Sequence, residues 1–226
     1  MIRIINLKIS FDKHQVLDIE KYNFTTGKVH GIIGLNGAGK TTFFNAVCKF
    51  LKRDAQAVLI NNKPFERHDA AYLETTNYFY ENITAQEYLS LFPSDNLLFN
   101  KNNLIELLQL KPGVLIDTFS TGMRKKLALI AIICQEKPVY ILDEPFNGLD
   151  LESNKILEML IQKLAESGKT IFLSSHILSP LTTSCTEIHL LRNGNFEKRF
   201  QPEQFNEIEN ELFSNLTEKV NSILKK

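Results

Sequence analysis

Neither sign of charge is in excess in this sequence, because 26 Lys and Arg residues are matched by 26 Asp and Glu residues. A chain of zero net charge has no general attraction for nucleic acid or acidic lipid, so neither is expected as a partner. Cysteine is scarce as well: Cys48, Cys134 and Cys185 stand far apart, with no C-x-x-C spacing. That pattern excludes a disulfide frame or a cysteine zinc site and fits reduced core thiols in a cytosolic protein. Long hydrophobic runs are missing. The longest, Leu127 to Cys134, is far short of the roughly 20 residues needed to cross a bilayer. No secretory pattern precedes Ile2, and a soluble intracellular chain is expected. The 226 residues suffice for one domain, or one domain with a modest subdomain, around a real core.

What is present is organised around Gly34-Leu35-Asn36-Gly37-Ala38-Gly39-Lys40-Thr41-Thr42, which follows an apolar run and opens an amphipathic one. Gly34, Gly39, Lys40 and Thr41 satisfy G-x-x-x-x-G-K-[ST], the phosphate cradle in which backbone N–H groups and a helix N-terminus face phosphate oxygens. Lys40 would reach the β- and γ-phosphates, and the Thr41 hydroxyl would bind a magnesium ion.

The periodicity along the chain alternates strand and helix. Met1 to Phe24 reads as a hairpin broken at Asp12-Lys13-His14, Val29 to Ile33 as a short strand, and Thr42 to Leu51 as a helix with Phe43, Val47 and Leu51 on one side. Gln56 to Ile60 reads as a strand turning at Asn61-Asn62. From about Asn77 to Leu110 aromatic and Asn-rich turns alternate with helical patterns at Ala85 to Leu91 and Leu104 to Leu110. Ser120 can cap a helix running through Leu127 to Ile133. Val139 to Leu142 reads as a central parallel strand, Ser153 to Ser167 as a helix stopped by Gly168, and Thr170 to Leu173 as the next strand. Asn193-Gly194 marks a hairpin between Glu187 to Leu191 and Asn195 to Phe200. A helical tail follows from Glu203, with Leu212, Leu216, Val220 and Ile223 in a stripe that would cap the domain. Such alternation implies a largely parallel sheet, whose ligands sit at the carboxyl ends of the strands. The chemistry is therefore expected in the loops after Ile33, Leu142 and Leu173.

Each of those loops carries a reactive group. Asp143 would hold magnesium, a cation that prefers oxygen, and Glu144 would polarise an attacking water. His176, in Ser174-Ser175-His176, could bond the γ-phosphate and keep that water in register with Glu144. Phe119-Ser120-Thr121-Gly122-Met123 reads either as an ordinary capped helix start or as a second anion-binding nest.

Taken together and in order, the Gly34 to Thr42 loop, Phe119 to Met123, Leu142-Asp143-Glu144-Pro145, Gly148-Leu149-Asp150 and Ser175-His176 resemble the ATP-binding-cassette (ABC) ATPases over nearly the whole chain. The resemblance implies an α/β fold: a P-loop NTPase core with a mainly parallel sheet, an N-terminal antiparallel β-subdomain, and an inserted helical subdomain. Residues 1–75 and 136–226 would form the core, and about 76–135 the insertion. It implies Phe11 as the aromatic stacked on adenine, Lys40, Thr41 and Asp143 as Walker groups, Glu144 as general base and His176 as switch histidine. Ser120 and Gly122 would form the signature that touches the γ-phosphate held by the other subunit of a head-to-tail dimer, and Asp150 would lie in the loop crossing that interface. Two departures stand out. Thr121 and Met123 replace a glycine and a glutamine of the usual signature, and Thr75 falls where the family places a magnesium-sensing glutamine, unless Glu74 substitutes for it.

The resulting expectation is an ABC-transporter ATPase subunit that binds ATP and Mg2+, works as a homodimer or heterodimer, and sits on the cytoplasmic face of the membrane through a separate permease. The Ser120 to Met123 variant tilts this toward export. A soluble ABC-type ATPase is the alternative, disfavoured by the lack of a second cradle or heptads. A non-hydrolysing nucleotide-gated scaffold, suggested by Thr75, is countered by the intact Glu144 and His176.

Overall fold

A computed structural model of the chain describes residues 1–92 and 98–213. The strands β1 (Ile2–Phe11) and β2 (His14–Phe24) form the expected antiparallel hairpin, with Asp12 at φ 51° in its turn. Asn6, at φ 48°, shifts the in-out alternation by one residue, so Ile4 and Leu7 both face the core. Asp and Asn accept this left-handed conformation more readily than other side chains. With β4 (Val58–Ile60) and β5 (Lys63–Pro64) the hairpin makes a four-stranded sheet in the order β2-β1-β4-β5.

The second sheet carries the strand ends that matter. It runs β10-β9-β3-β8-β7-β6, from β3 (Val29–Ile33), β6 (Ala70–Leu73), β7 (Val139–Leu142), β8 (Thr170–Ser174), β9 (Glu187–Arg192) and β10 (Asn195–Phe200). Every pairing is parallel except β9 with β10. β3, β7 and β8 are buried at every position, as strands covered on both faces must be. The hairpin turn at Asn193-Gly194 has both residues at positive φ, 50° and 75°, which its two-residue geometry demands.

Local structure departs from the expectations in several places, among them the helix expected over Leu104 to Leu110, which runs Lys101–Leu107 instead. The edge strand β6 is unheralded, because Ala70 and Ala71 have little strand preference and the run is only four residues long. The first helix, α1 (Lys40–Val47), stops short of Leu51. Lys49 turns to φ 62°, and the Arg53 guanidinium takes the freed carbonyls of Ala46 and Val47 at 2.6 and 3.2 Å. Residues 55–57 form a 3-10 turn, so β4 begins only at Val58.

Between β6 and β7 lie α2 (Ala85–Ser90), α3 (Lys101–Leu107) and α4 (Thr121–Ile133). Thr84 and Glu87 form a reciprocal capping box on α2, and Asn100 caps α3. α5 (Leu151–Glu166) starts two residues before the expected Ser153, because Asp150 is its cap, and α6 (Leu178–Ser184) follows β8. The tail opens with a 3-10 segment, Pro202–Glu207, and residues 208–213 are helical. Leu212 packs on the core, whereas Leu216, Val220 and Ile223 lie outside the described residues.

Two apolar layers result. One, beneath the main sheet, joins Ile33, Leu142 and Leu173 to α4 and α5 through Leu127, Ile130, Leu157 and Leu160. The other fills the space between the two sheets and α1 with Phe24, Phe43, Phe44, Phe172 and Phe196. Phe24 meets Phe172 and Phe196 edge-on at 5.0 and 5.4 Å, contacts worth about 0.5–1.5 kcal/mol each beyond burial. No helix among the described residues is long and apolar enough to cross a membrane.

Candidate functional site

The sheet order sets the strands ending in residues 33, 174 and 142 side by side. Their loops converge on a cavity of about 450 Å³ lined by Asn36 to Thr42, Val16, Thr75, Asp143 and Glu144. Gly39 occupies the cap position of α1 at φ 103°, where a Cβ would also come 2.9 Å from Leu17. It offers no side chain to the helix end, which leaves the first-turn N–H groups directed to the cavity, as an anion requires. Lys40 folds over the loop with Nζ donating to the Gly34 carbonyl at 2.7 Å. Burial pulls its pKa down, opposed by the charges of Glu144 and Asp143.

Asp143 is 1% exposed and fully engaged. Its Oδ2 accepts from Thr41 Oγ1 at 2.7 Å and from Thr75 Oγ1 at 2.9 Å, and its Oδ1 accepts from the Ser174 hydroxyl. Two hydroxyls and a carboxylate bordering a phosphate cradle form an all-oxygen donor set that fits magnesium. Thr75 therefore touches the carboxylate directly, while Glu74 faces a neighbouring cleft with Tyr72, Asn77 and Tyr78.

Glu144 sits at φ 50°, a conformation unfavourable for a residue with a Cβ. Its N–H donates to Ser174 Oγ at 2.9 Å, so one serine holds the Asp143 carboxylate and the Glu144 backbone. Glu144 Oε2 lies 2.8 Å from His176 Nδ1, and it accepts from Asn147 Nδ2 at 3.3 Å. Lys125 of α4, 4% exposed, reaches the Thr75 carbonyl at 3.4 Å. Burial lowers its pKa against the pull of Asp143 and Glu144.

The expected residues thus fall into two groups. Those of the Gly34 to Thr42 loop, Asp143, Glu144 and His176 come together. Phe11, at the outer end of β1 and 49% exposed, does not line the cavity, where Val16 stands instead. Ser120 and Gly122 are also elsewhere. Ser120 is exposed and caps α4, accepting from Met123 N–H at 3.2 Å. Gly122 lies against the loop before α5, where a Cβ would approach the Gly148 oxygen to 2.6 Å. Asp150 caps α5 through the Ser153 N–H at 2.8 Å and meets Lys126 at 3.1 Å, contacts that hold its carboxyl well below the usual range. Sequence reasoning passed over Ser174, Val16 and Lys125, for which only the strand-end position of Ser174 was a signal.

The chain is similar to known proteins over most of its length. The family model described as ABC transporter matches residues 17–147. An uncharacterized ABC transporter ATP-binding protein, YcbN of Bacillus subtilis, is 30% identical over 197 residues, 82% of this chain and 64% of its own length. The chain thus spans somewhat less than two thirds of that relative. The lantibiotic transport ATP-binding protein SrtF of Streptococcus pyogenes is 28% identical over 95% of this chain and 96% of its own. A solved ATP-binding subunit of an ABC transporter superposes with a TM-score of 0.80 at 25% identity, covering 100% of this chain and 99% of the other. With the cradle, the paired carboxylates and the histidine placed as described, the chain belongs to the ABC transporter family as a nucleotide-binding subunit.

Proposed function

We propose that this chain hydrolyses ATP to ADP and phosphate and thereby powers a separate membrane-spanning transporter. The observation that carries the reading is the Glu144 carboxylate, 2.8 Å from His176 Nδ1 at the edge of the phosphate cavity. Glu144 is the base that polarises water, and His176 holds that water and the γ-phosphate in register. Lys40 and the α1 N-terminus supply the fixed positive field that phosphoryl transfer depends on. Asp143 and Thr41 would hold magnesium, whose charge counters that of the β- and γ-phosphates. Phe11 is proposed to stack on adenine.

Because Ser120 and Gly122 do not reach their own cavity, they are proposed to close the cavity of a second, head-to-tail subunit, either a copy of this chain or a related ATPase. The names of the similar proteins support transport as the coupled work, and the Ser120-Thr121-Gly122-Met123 signature tilts the reading toward export. The chain would then sit on the inner face of the membrane through its permease. Glu144→Gln is expected to trap an ATP-bound dimer on size-exclusion chromatography. A variant that stays monomeric in saturating ATP overturns the dimer, and failure to co-purify with any multi-span membrane protein overturns the transport coupling.

A further inference from the structure

Three strand residues outside the cradle form a closed polar cluster inside the apolar layer between the sheets. His30 of β3 is 0% exposed, and Glu187 and His189 of β9 are 3% and 0% exposed. The parallel register pairs His30 with Glu187 and Ile32 with His189, so all three side chains share one face of the sheet. His30 Nδ1 lies 3.0 Å from His189 Nε2, and Glu187 Oε2 lies 3.6 and 3.8 Å from those nitrogens. A triangle with these sides has a point about 2.0 Å from all three atoms, the bond length of zinc to imidazole and carboxylate.

The partners behind the ligands are also in place. His30 Nε2 is 2.7 Å from the Thr25 carbonyl, so it carries the proton and turns the Nδ1 lone pair inward. His189 Nδ1 is 2.9 Å from the Tyr22 hydroxyl, which can orient the other ring in the same way. Outer hydrogen bonds of this kind fix the tautomer of metal-bound histidines. Burial keeps both rings neutral, pushing His30 down to about 4 and His189 well below its ordinary value. Burial would raise Glu187, but the hydrogen bond from Lys28 and neighbouring charges outweigh it, and the carboxylate is held ionised.

Without a cation, one hydrogen-bond chain can still satisfy the rings: Tyr22 O–H to His189 Nδ1, His189 Nε2–H to His30 Nδ1, and His30 Nε2–H to Thr25. It leaves Glu187 Oε2 without a hydrogen bond. That oxygen is buried and accepts no hydrogen bond, since Lys28 donates to Oε1 at 2.8 Å and Arg199 Nε stays 3.9 Å from Oε2. An unmet buried carboxylate oxygen is costly. A divalent ion at the common point satisfies all three atoms at once.

We propose that His30, Glu187 and His189 bind one first-row divalent metal ion, zinc foremost, as a staple between β3 and β9. Two imidazoles and one carboxylate suit zinc and its neighbours and are a poor match for magnesium. Lys28 and Arg199, with side chains 40% and 35% exposed, are the half-exposed cations paired with Glu187.

The test is titration of untagged, metal-stripped protein with ZnCl2 in a calorimeter, without nucleotide. One ion per chain is expected, with a rise in melting temperature. Glu187→Gln and His189→Gln should each weaken zinc at least about tenfold while ATP binding persists. No zinc uptake by the wild type, or unchanged affinity in both variants, overturns the site. Should a variant lose ATP binding through misfolding, Co2+ added to the wild type decides. Intense visible bands of a low-coordinate site with imidazole ligands support it, and the weak spectrum of six oxygen ligands, which Asp143 and its hydroxyls would give, refutes it.

Discussion

At the scale of single residues, the site depends on hydroxyls as much as on charges. Thr75 supplies one of three hydroxyl donors to Asp143. Thr75→Val keeps the shape and removes that bond, and a hydrogen bond to a charged group is worth about 1.5–3 kcal/mol. The melting temperature is therefore expected to fall by several degrees and the kcat/KM for ATP about tenfold as Asp143 loses an anchor; steady-state kinetics showing no loss would remove Thr75 from the site. His30 sets a pH limit on the fold. Its pKa is lowered by burial to about 4 from 6.5, so its contribution to stability is complete above about 6.5 and is lost as pH falls toward 4. In metal-stripped protein this one group accounts for about 3 kcal/mol between those limits. Urea midpoints taken across that range should decline less steeply in His30→Gln than in the wild type.

At the scale of elements, α1 is held at its two ends by different means. Its start is left open for a ligand, whereas its end is closed by Arg53, which also reaches the Phe65 carbonyl at 2.9 Å and so ties the helix to the loop after β5. Arg53→Ala is expected to cost about 2–3 kcal/mol in urea unfolding, with ATP affinity little changed. The sequence disclosed elements wherever local chemistry speaks loudly: Asn193-Gly194 for a hairpin, a wholly apolar run for β7, and a glycine-rich loop before α1. It was silent where the deciding partner is distant. Ala70 to Leu73 becomes a strand only because β7 lies beside it, and α1 ends early because Arg53 folds back onto it. The roles of Thr75 and Ser174 depend on a carboxylate tens of residues away, and the His30, Glu187 and His189 cluster joins positions more than 150 residues apart, as the pairing of His30 with Glu187 records.

At the scale of the whole molecule, the separation of Ser120 from the cavity makes each proposed site a shared one. Ser120→Arg and Glu144→Gln should each abolish hydrolysis in a homodimer. A mixture of the two should recover it, because one of the two composite sites then has a native Ser120 and a native Glu144. Phosphate release assays on the mixture measure this, and no recovery would mean that the serine acts within its own chain. The left-handed backbone at Glu144 bears on the history of such a molecule. A non-glycine residue there costs on the order of 1 kcal/mol, so drift toward glycine or asparagine would make the fold more stable and the enzyme dead. A copy of this cassette freed from the need to hydrolyse ATP would be expected to lose its glutamate first.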